Sequence, residues 1–251
     1  MFGAGYRRAG WRSAAAVGCA VVTLLGVTGC GDSGDGGNDK AGKSPAPSRS
    51  AAPALTEAEL EAVAFTDGEK AGAYTANEYA LDGPLGDGYT ATPAVCQPLV
   101  SLAGDAGDHD PAAQVQRRVD VPDDMLGVMV DVTLRSYGNG EAAKVMQSLR
   151  KAGRDCAGGL MEERAIARAR YVKVEPTGLP AFAGEADEAS AYRFTILDVK
   201  DKVKLYEYLT VVRAGSTTLA FRGEILATKD IGGVPQDIMA AQWKKFRAGQ
   251  A

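Results

Sequence analysis

The sequence predicts an α+β protein: a twisted antiparallel sheet with helices packed on it, forming a single domain after a disordered tether. Three observations carry this. Leu126, Val128, Val130, Val132 and Leu134 alternate with Gly127, Met129, Asp131, Thr133 and Arg135, the period of a strand with one buried face. Ala142, Val145, Met146, Leu149, Ala152 and Cys156 recur at spacings mostly of three and four, the stripe of a helix. The last third alternates again around turn residues such as Ala214-Gly215-Ser216, which join neighbouring strands as hairpins. Hairpin-linked strands with a helix among them and another at the end pack as an antiparallel sheet with helices on it.

The chain opens differently. Its first twelve residues carry Arg7, Arg8 and Arg12 and no acid, and residues 14–27 are apolar apart from Thr23. A basic start and an apolar core of this length form a secretory signal. The core is shorter than the ~20 residues that cross a ~30 Å hydrocarbon layer. Val27-Thr28-Gly29-Cys30 closes it. These four residues resemble the bacterial lipobox, with Val27 where leucine is usual. The resemblance implies cleavage after Gly29 and acylation of the Cys30 thiol. Residues 1–29 are then a lipoprotein signal peptide, Cys30 is the lipidation site, and Cys19 is removed with the signal. One acyl chain binds a bilayer marginally, at ~0.8 kcal/mol per buried CH₂, and two hold it. The expectation is an exported protein, lipid-anchored to the bilayer at the outer face of the cytoplasmic membrane. A plain cleaved signal with an incidental Cys30 is the alternative.

Residues 30–54 read as the tether. From Gly31 to Pro53 they are mostly Gly, Ser, Asp, Ala, Pro and Lys, with no large apolar side chain. Such a run buries too little to offset its ordering entropy. About 24 residues of it reach roughly 25–30 Å.

The 251 residues hold 28 basic and 32 acidic side chains, a net charge of −4 at pH 7; without residues 1–29, 25 basic face 32 acidic, a net −7. An acidic domain without a basic block is a poor nucleic-acid binder and has no reason to lie flat on an anionic membrane.

The domain spans 55–251. Thr56 with Glu59 three residues on predicts a capped helix that ends before Gly68. Residues 71–95 read as extended pieces and turns. Cys96-Gln97-Pro98 starts a short helix, and residues 104–111 form a polar loop. Val115, Arg117 and Val119 suggest a strand that pairs with the one at 126–135. Asn139 is a candidate N-cap for the helix of residues 141–157. Residues 166–174 are a strand. Tyr192, Phe194 and Ile196 mark the next, and Leu205, Glu207, Leu209 and Val211 another. A hairpin leads into 217–222. Pro235 opens a last helix, where proline is tolerated, with Ile238, Met239, Gln242 and Phe246 facing inward.

Three cysteines follow the signal. If Cys30 carries lipid, Cys96 and Cys156 remain, and an exported pair persists as a disulfide. Cys156 lies on the helix stripe and so faces the core, where the short Cys96 helix can meet it.

Several segments together carry a family resemblance. They are Cys96-Gln97-Pro98-Leu99, the strand ending in Tyr137, the helix ending in Cys156, Ala183-Gly184-Glu185-Ala186, Val211-Val212-Arg213-Ala214-Gly215, and Pro235 through Gln242-Trp243-Lys244. They resemble actinobacterial lipoproteins with a domain like the sensor domain of PknH-type receptor kinases, or the related PsbP-like lipoproteins. The resemblance implies the same α+β fold and a role in binding or sensing rather than catalysis. The kinase sensor domains are expected to hold two cysteine pairs where this chain has one. No kinase domain lies in these residues, so a signal would pass through a partner.

Candidate chemistry is sparse. The sole histidine, His109, sits among Asp105, Asp108 and Asp110 and reads as part of a solvated loop. No Gly-x-Ser-x-Gly, His-Glu-x-x-His or dinucleotide-binding glycine pattern occurs, so no catalytic residue, metal ligand or cofactor is assigned. Glu162-Glu163 and Asp187-Glu188 are carboxylate pairs, read as acidic loop residues. Arg168 and Arg170 fall on the solvent face of a strand, although with Arg164 they would also suit an anionic pocket. Tyr206 and Tyr208 share one face of their strand. They form either an exposed aromatic patch for a ligand or partner or a core face. The leading expectation is a non-catalytic domain that binds a small or amphipathic ligand or an envelope protein. The alternative is an exported hydrolase of cell-envelope material that works with carboxylates.

Overall fold

A computed structural model describes residues 52–79, 89–101, 109–120, 129–164, 167–198, 200, 202–224 and 229–250. The signal peptide, Cys30 and the tether as far as residue 51 lie outside the described residues. So do Asp105 and Asp108, and Leu126 and Val128 of the alternating run.

The helices are α1 (Glu57–Val63), α2 (Gln97–Ser101), α3 (Glu141–Asp155) and α4 (Gln236–Ala248). The strands are β1 (Lys70–Ala71), β2 (Tyr74–Asn77), β3 (Thr90–Thr92), β4 (Ala113–Asp120), β5 (Met129–Ser136), β6 (Leu160–Arg164), β7 (Ala167–Pro176), β8 (Glu188–Leu197), β9 (Lys204–Ala214) and β10 (Thr217–Glu224). Among the described residues these form one open sheet in the order β1-β2-β4-β5-β10-β9-β8-β7-β6-β3, antiparallel throughout. The five strands from β6 to β10 are a meander, each beside the next, and the β4–β5 hairpin adds to its β10 edge.

Helices cover both faces. On the first face, α1 and α4 bury Leu60, Val63, Ile238, Met239, Trp243 and Phe246 against Val119, Val132, Phe221 and Val212 of β4, β5, β10 and β9. On the second, α2 and α3 bury Leu99, Val145, Met146, Leu149 and Ala152 against Val174, Phe194, Leu209 and Val211 of β7, β8 and β9. The two helix pairs are offset along the sheet. β9 lies under both, giving Tyr208 and Val212 to the first core and Leu209 and Val211 to the second.

The local signals act as their chemistry dictates. Thr56 accepts from the Glu59 amide at 3.3 Å while the Glu59 carboxylate accepts from the Thr56 amide at 2.7 Å, a reciprocal capping box. Cys96 and Cys156 are bonded, with Cα atoms 5.9 Å apart, and both are buried. The disulfide joins the turn before α2 to the end of α3.

Three details differ from the sequence reading. Asn139 is not the cap of α3. It takes a left-handed conformation with φ 53°, and the cap position falls on Gly140, which has no side chain to offer. β5 is buried on both sides along its second half, including Thr133 and Arg135. The segment carrying Glu162-Glu163 is strand β6 rather than a loop. Its inward positions are Leu160 and Glu162, so the polarity does not alternate.

The sheet also has an open stretch. Strand register puts Tyr206, Lys204, Arg193, Leu197, Lys173, Glu175, Arg170, Met161, Arg168 and Glu163 on the first face, beyond the edge of the α1–α4 layer. All of these keep some exposure to solvent, while Thr195, between Tyr206 and Lys173 on the same face, is buried.

Candidate functional site

Two polar constellations flank β9, one on each face. The first lies under α2. Glu162 of β6, Tyr171 of β7, Glu207 of β9 and Arg222 of β10 all point to the second face and are 0%, 2%, 4% and 2% exposed. Nη2 of Arg222 donates to Glu207 Oε2 at 2.7 Å and lies 3.2 Å from Glu162 Oε2. It also donates to the Tyr171 hydroxyl at 2.9 Å. That hydroxyl is 2.9 Å from Glu207 and 3.1 Å from Glu162, and its one proton serves one carboxylate at a time. Nη1 of Arg222 donates to the Leu99 carbonyl of α2 at 3.3 Å, and the guanidinium stands 5.7 Å from the centre of the Phe194 ring. Buried carboxylates persist only when paired and hydrogen-bonded, and this cluster supplies both. Glycosidic chemistry needs carboxyls that reach a substrate and a water. Glu162 and Glu207 are sealed from both in this conformation.

The second constellation holds the tyrosines. Tyr208 is fully buried, so the pair does not form an exposed patch; from Tyr208 to Val212 β9 is covered on both faces, and the leucine face and the Tyr208 face are each a core there. Only Tyr206 stays partly open, with the Arg193 guanidinium 5.9 Å from its ring centre. The Tyr208 hydroxyl donates to Asp230 in a short bond and accepts from the amides of Ile231 at 2.9 Å and Gly232 at 3.2 Å. Asp230 also takes a short contact from Arg193, whose other nitrogen donates to Glu175 at 2.6 Å. Burial, and then the hydrogen bond to Asp230, push the Tyr208 phenol up to about 12. Burial acts to raise the Asp230 carboxyl as well. The Tyr208 hydroxyl, the Gly232 amide and Arg193 outweigh it and hold the group below the usual carboxylate range. The network clamps the loop ahead of α4 to β8 and β9.

The fold is similar to that of the extracellular domain of PknH from Mycobacterium tuberculosis. The superposition has a TM-score of 0.51 at 12% identity and covers 78% of this chain and 97% of that domain. No known protein family matches the sequence, and no curated protein does. At this identity the likeness concerns the fold alone.

The remaining candidates are structural braces or surface groups. Glu188 accepts from Arg213 Nε at 2.7 Å and pairs with Arg150 of α3. Asp187 accepts from the Gly215 amide at 2.7 Å and steadies the β9–β10 turn. Glu188 is the first residue of β8 and partly buried, whereas Asp187 is an exposed residue of the loop before it, as the sequence suggested. Glu163 pairs with Arg168 at 2.9 Å, and Arg168 and Arg170 are exposed as expected. His109 packs on α3, with Nδ1 3.0 Å from Glu141 Oε2 and Nε2 3.3 Å from Ser148 Oγ, rather than standing in a solvated loop. Among the described residues no three His, Cys, Asp or Glu side chains gather as a metal site. A polar cleft of about 360 Å³ opens where α1 meets β4, lined by Glu57, Glu61, Glu78, Gln114, Gln116 and Arg117. The sequence reading missed the Glu162–Glu207–Arg222 cluster. Its members lie up to 60 residues apart, and no local spacing reports it.

Proposed function

We propose that this chain is an extracytoplasmic lipoprotein, held on the outer face of the cytoplasmic membrane through acylated Cys30. Its folded domain binds or senses a small or amphipathic ligand or an envelope protein without catalysing a reaction. The observation that supports this most is the likeness of a disulfide-bonded domain to the extracellular domain of PknH. A buried disulfide suits an oxidising, exported setting. The sealed carboxylates of β6 and β9 give the hydrolase reading no support. The test has two parts. Cys30→Ala is expected to move the protein from the membrane to the soluble exported fraction and to abolish the mass added by lipid. Native mass spectrometry of the purified chain is expected to show a bound species that denaturation releases. Retention of Cys30→Ala in the membrane without any lipid-dependent mass difference would refute the anchor. Turnover of envelope polymers that Glu162→Gln or Glu207→Gln abolishes would refute the non-catalytic reading.

A further inference from the structure

We propose that the open first face of strands β6 to β9 is a docking surface for an extended acidic segment of a protein partner. The proposal rests on reading the domain as a binding module and names the surface and the chemistry.

Strand register gathers five cations on this face: Lys204, Arg193, Lys173, Arg170 and Arg168. They share it with two carboxylates, Glu163 and Glu175, and with Asp230 at the margin. Arg168 pairs with Glu163, Lys173 and Arg193 pair with Glu175, and Arg193 also pairs with Asp230, so the face keeps an excess of two positive charges on a chain whose net charge is −4. Arg168 and Lys173 are 74% and 57% exposed, and Arg170 and Lys204 are also exposed. Between them stand Tyr206, Met161 and Leu197, half-buried and available for contact. A cationic surface with apolar and aromatic ground between the charges favours a polypeptide, which brings side chains as well as charge.

The dimensions agree. Neighbouring strands lie ~4.8 Å apart, so four strands offer a strip roughly 15 Å wide, enough for one extended chain. A narrow acidic segment meets only this strip. A flat anionic bilayer would also approach the acidic remainder of the domain, whose repulsion is screened only beyond ~8 Å. The cations also steer an acidic partner during approach.

The test uses the purified full chain and a fluorescent peptide of ten glutamates, read by anisotropy. Binding is expected to weaken steeply with added salt. Arg170→Glu with Lys204→Glu is expected to weaken it at least tenfold. Lys144→Glu with Lys151→Glu, on the outer surface of α3, changes it less than twofold. Lys204→Glu alone, at an exposed strand end, gives an intermediate loss and guards against misfolding of the double variant. No binding of the decapeptide overturns the proposal, as does equal binding of a serine–glycine peptide or an equal loss in the α3 control. Binding confined to phosphatidylglycerol vesicles overturns it in favour of a lipid surface. A co-purified small ligand without peptide binding overturns this surface while leaving the binding reading intact.

Discussion

Arg222 stands between two carboxylates and all three are buried, so its loss is expected to be the most damaging of the polar substitutions. Arg222→Ala removes the cation that bridges Glu162 and Glu207 in the core. Breaking a buried pair this way costs about 3–5 kcal/mol, to be measured as a fall in the urea midpoint. Replacing Arg222, Glu162 and Glu207 together by apolar residues is expected to recover most of that loss. Tyr208 makes a prediction in pH. Its folded pKa of about 12 lies above the ordinary value of 10, so the folded state holds the phenolic proton more tightly. That contribution is complete below pH 10 and is lost as pH rises through 12. Its size is on the order of 2 kcal/mol. Tyr208→Phe is expected to flatten this alkaline loss in a denaturation series, at a cost of about 1–2 kcal/mol at neutral pH for the partners left behind. At acid pH the sign reverses. Asp230 and Glu175 are held below the usual carboxylate range, so what they add is present above the unfolded pKa and is lost on acidification through the folded value. At this scale the sequence was a poor guide. Glu162 and Glu163 look alike in a string of letters, yet the strand turns one inward to Arg222 and the other outward to Arg168. Whether Tyr208 faced in or out depended on a loop 22 to 24 residues downstream, at Asp230 to Gly232.

Among the elements, α3 was the most legible and also holds the tightest fit. Its stripe from Ala142 to Cys156 is buried as the spacing predicts. Gly153 lies on the same side, where a Cβ would come within 2.3 Å of the Tyr192 ring on β8. Alanine favours a helix interior by ~1 kcal/mol over glycine. Gly153→Ala is nevertheless expected to destabilise the protein by about 1–3 kcal/mol net, because the buried Tyr192 ring must shift to make room. A thermal melt that rises in this variant would contradict the packing. The capping box of α1 and the proline start of α4 were equally readable, since both are set by neighbours in sequence. β6 was not, because its inward residues are one leucine and one glutamate. Helix α3 begins at Glu141 as expected, but its cap is Gly140 rather than Asn139.

For the whole molecule, the alternating runs and hairpin turns were enough to give an antiparallel sheet with helices on it. They did not say which helix takes which face. β9 obscures that choice, since its apolar residues fall on both sides and it serves two cores. The cysteine pair was legible because one of its members sits on a helix stripe. It is expected to matter energetically: the chain between Cys96 and Cys156, a separation of 60 residues, loses about 4 kcal/mol of unfolded-state freedom in the chain-entropy account. Cys96→Ser with Cys156→Ser is expected to lower the unfolding free energy by a similar amount under non-reducing conditions. The same bond has a mechanical meaning. In a single-molecule experiment that pulls the domain from its two ends, the closed 60-residue loop cannot lengthen. At ~3.5 Å per extended residue, roughly 200 Å of contour stays hidden from the applied force until a reductant opens the bridge. The extension gained on unfolding then counts the cross-link directly.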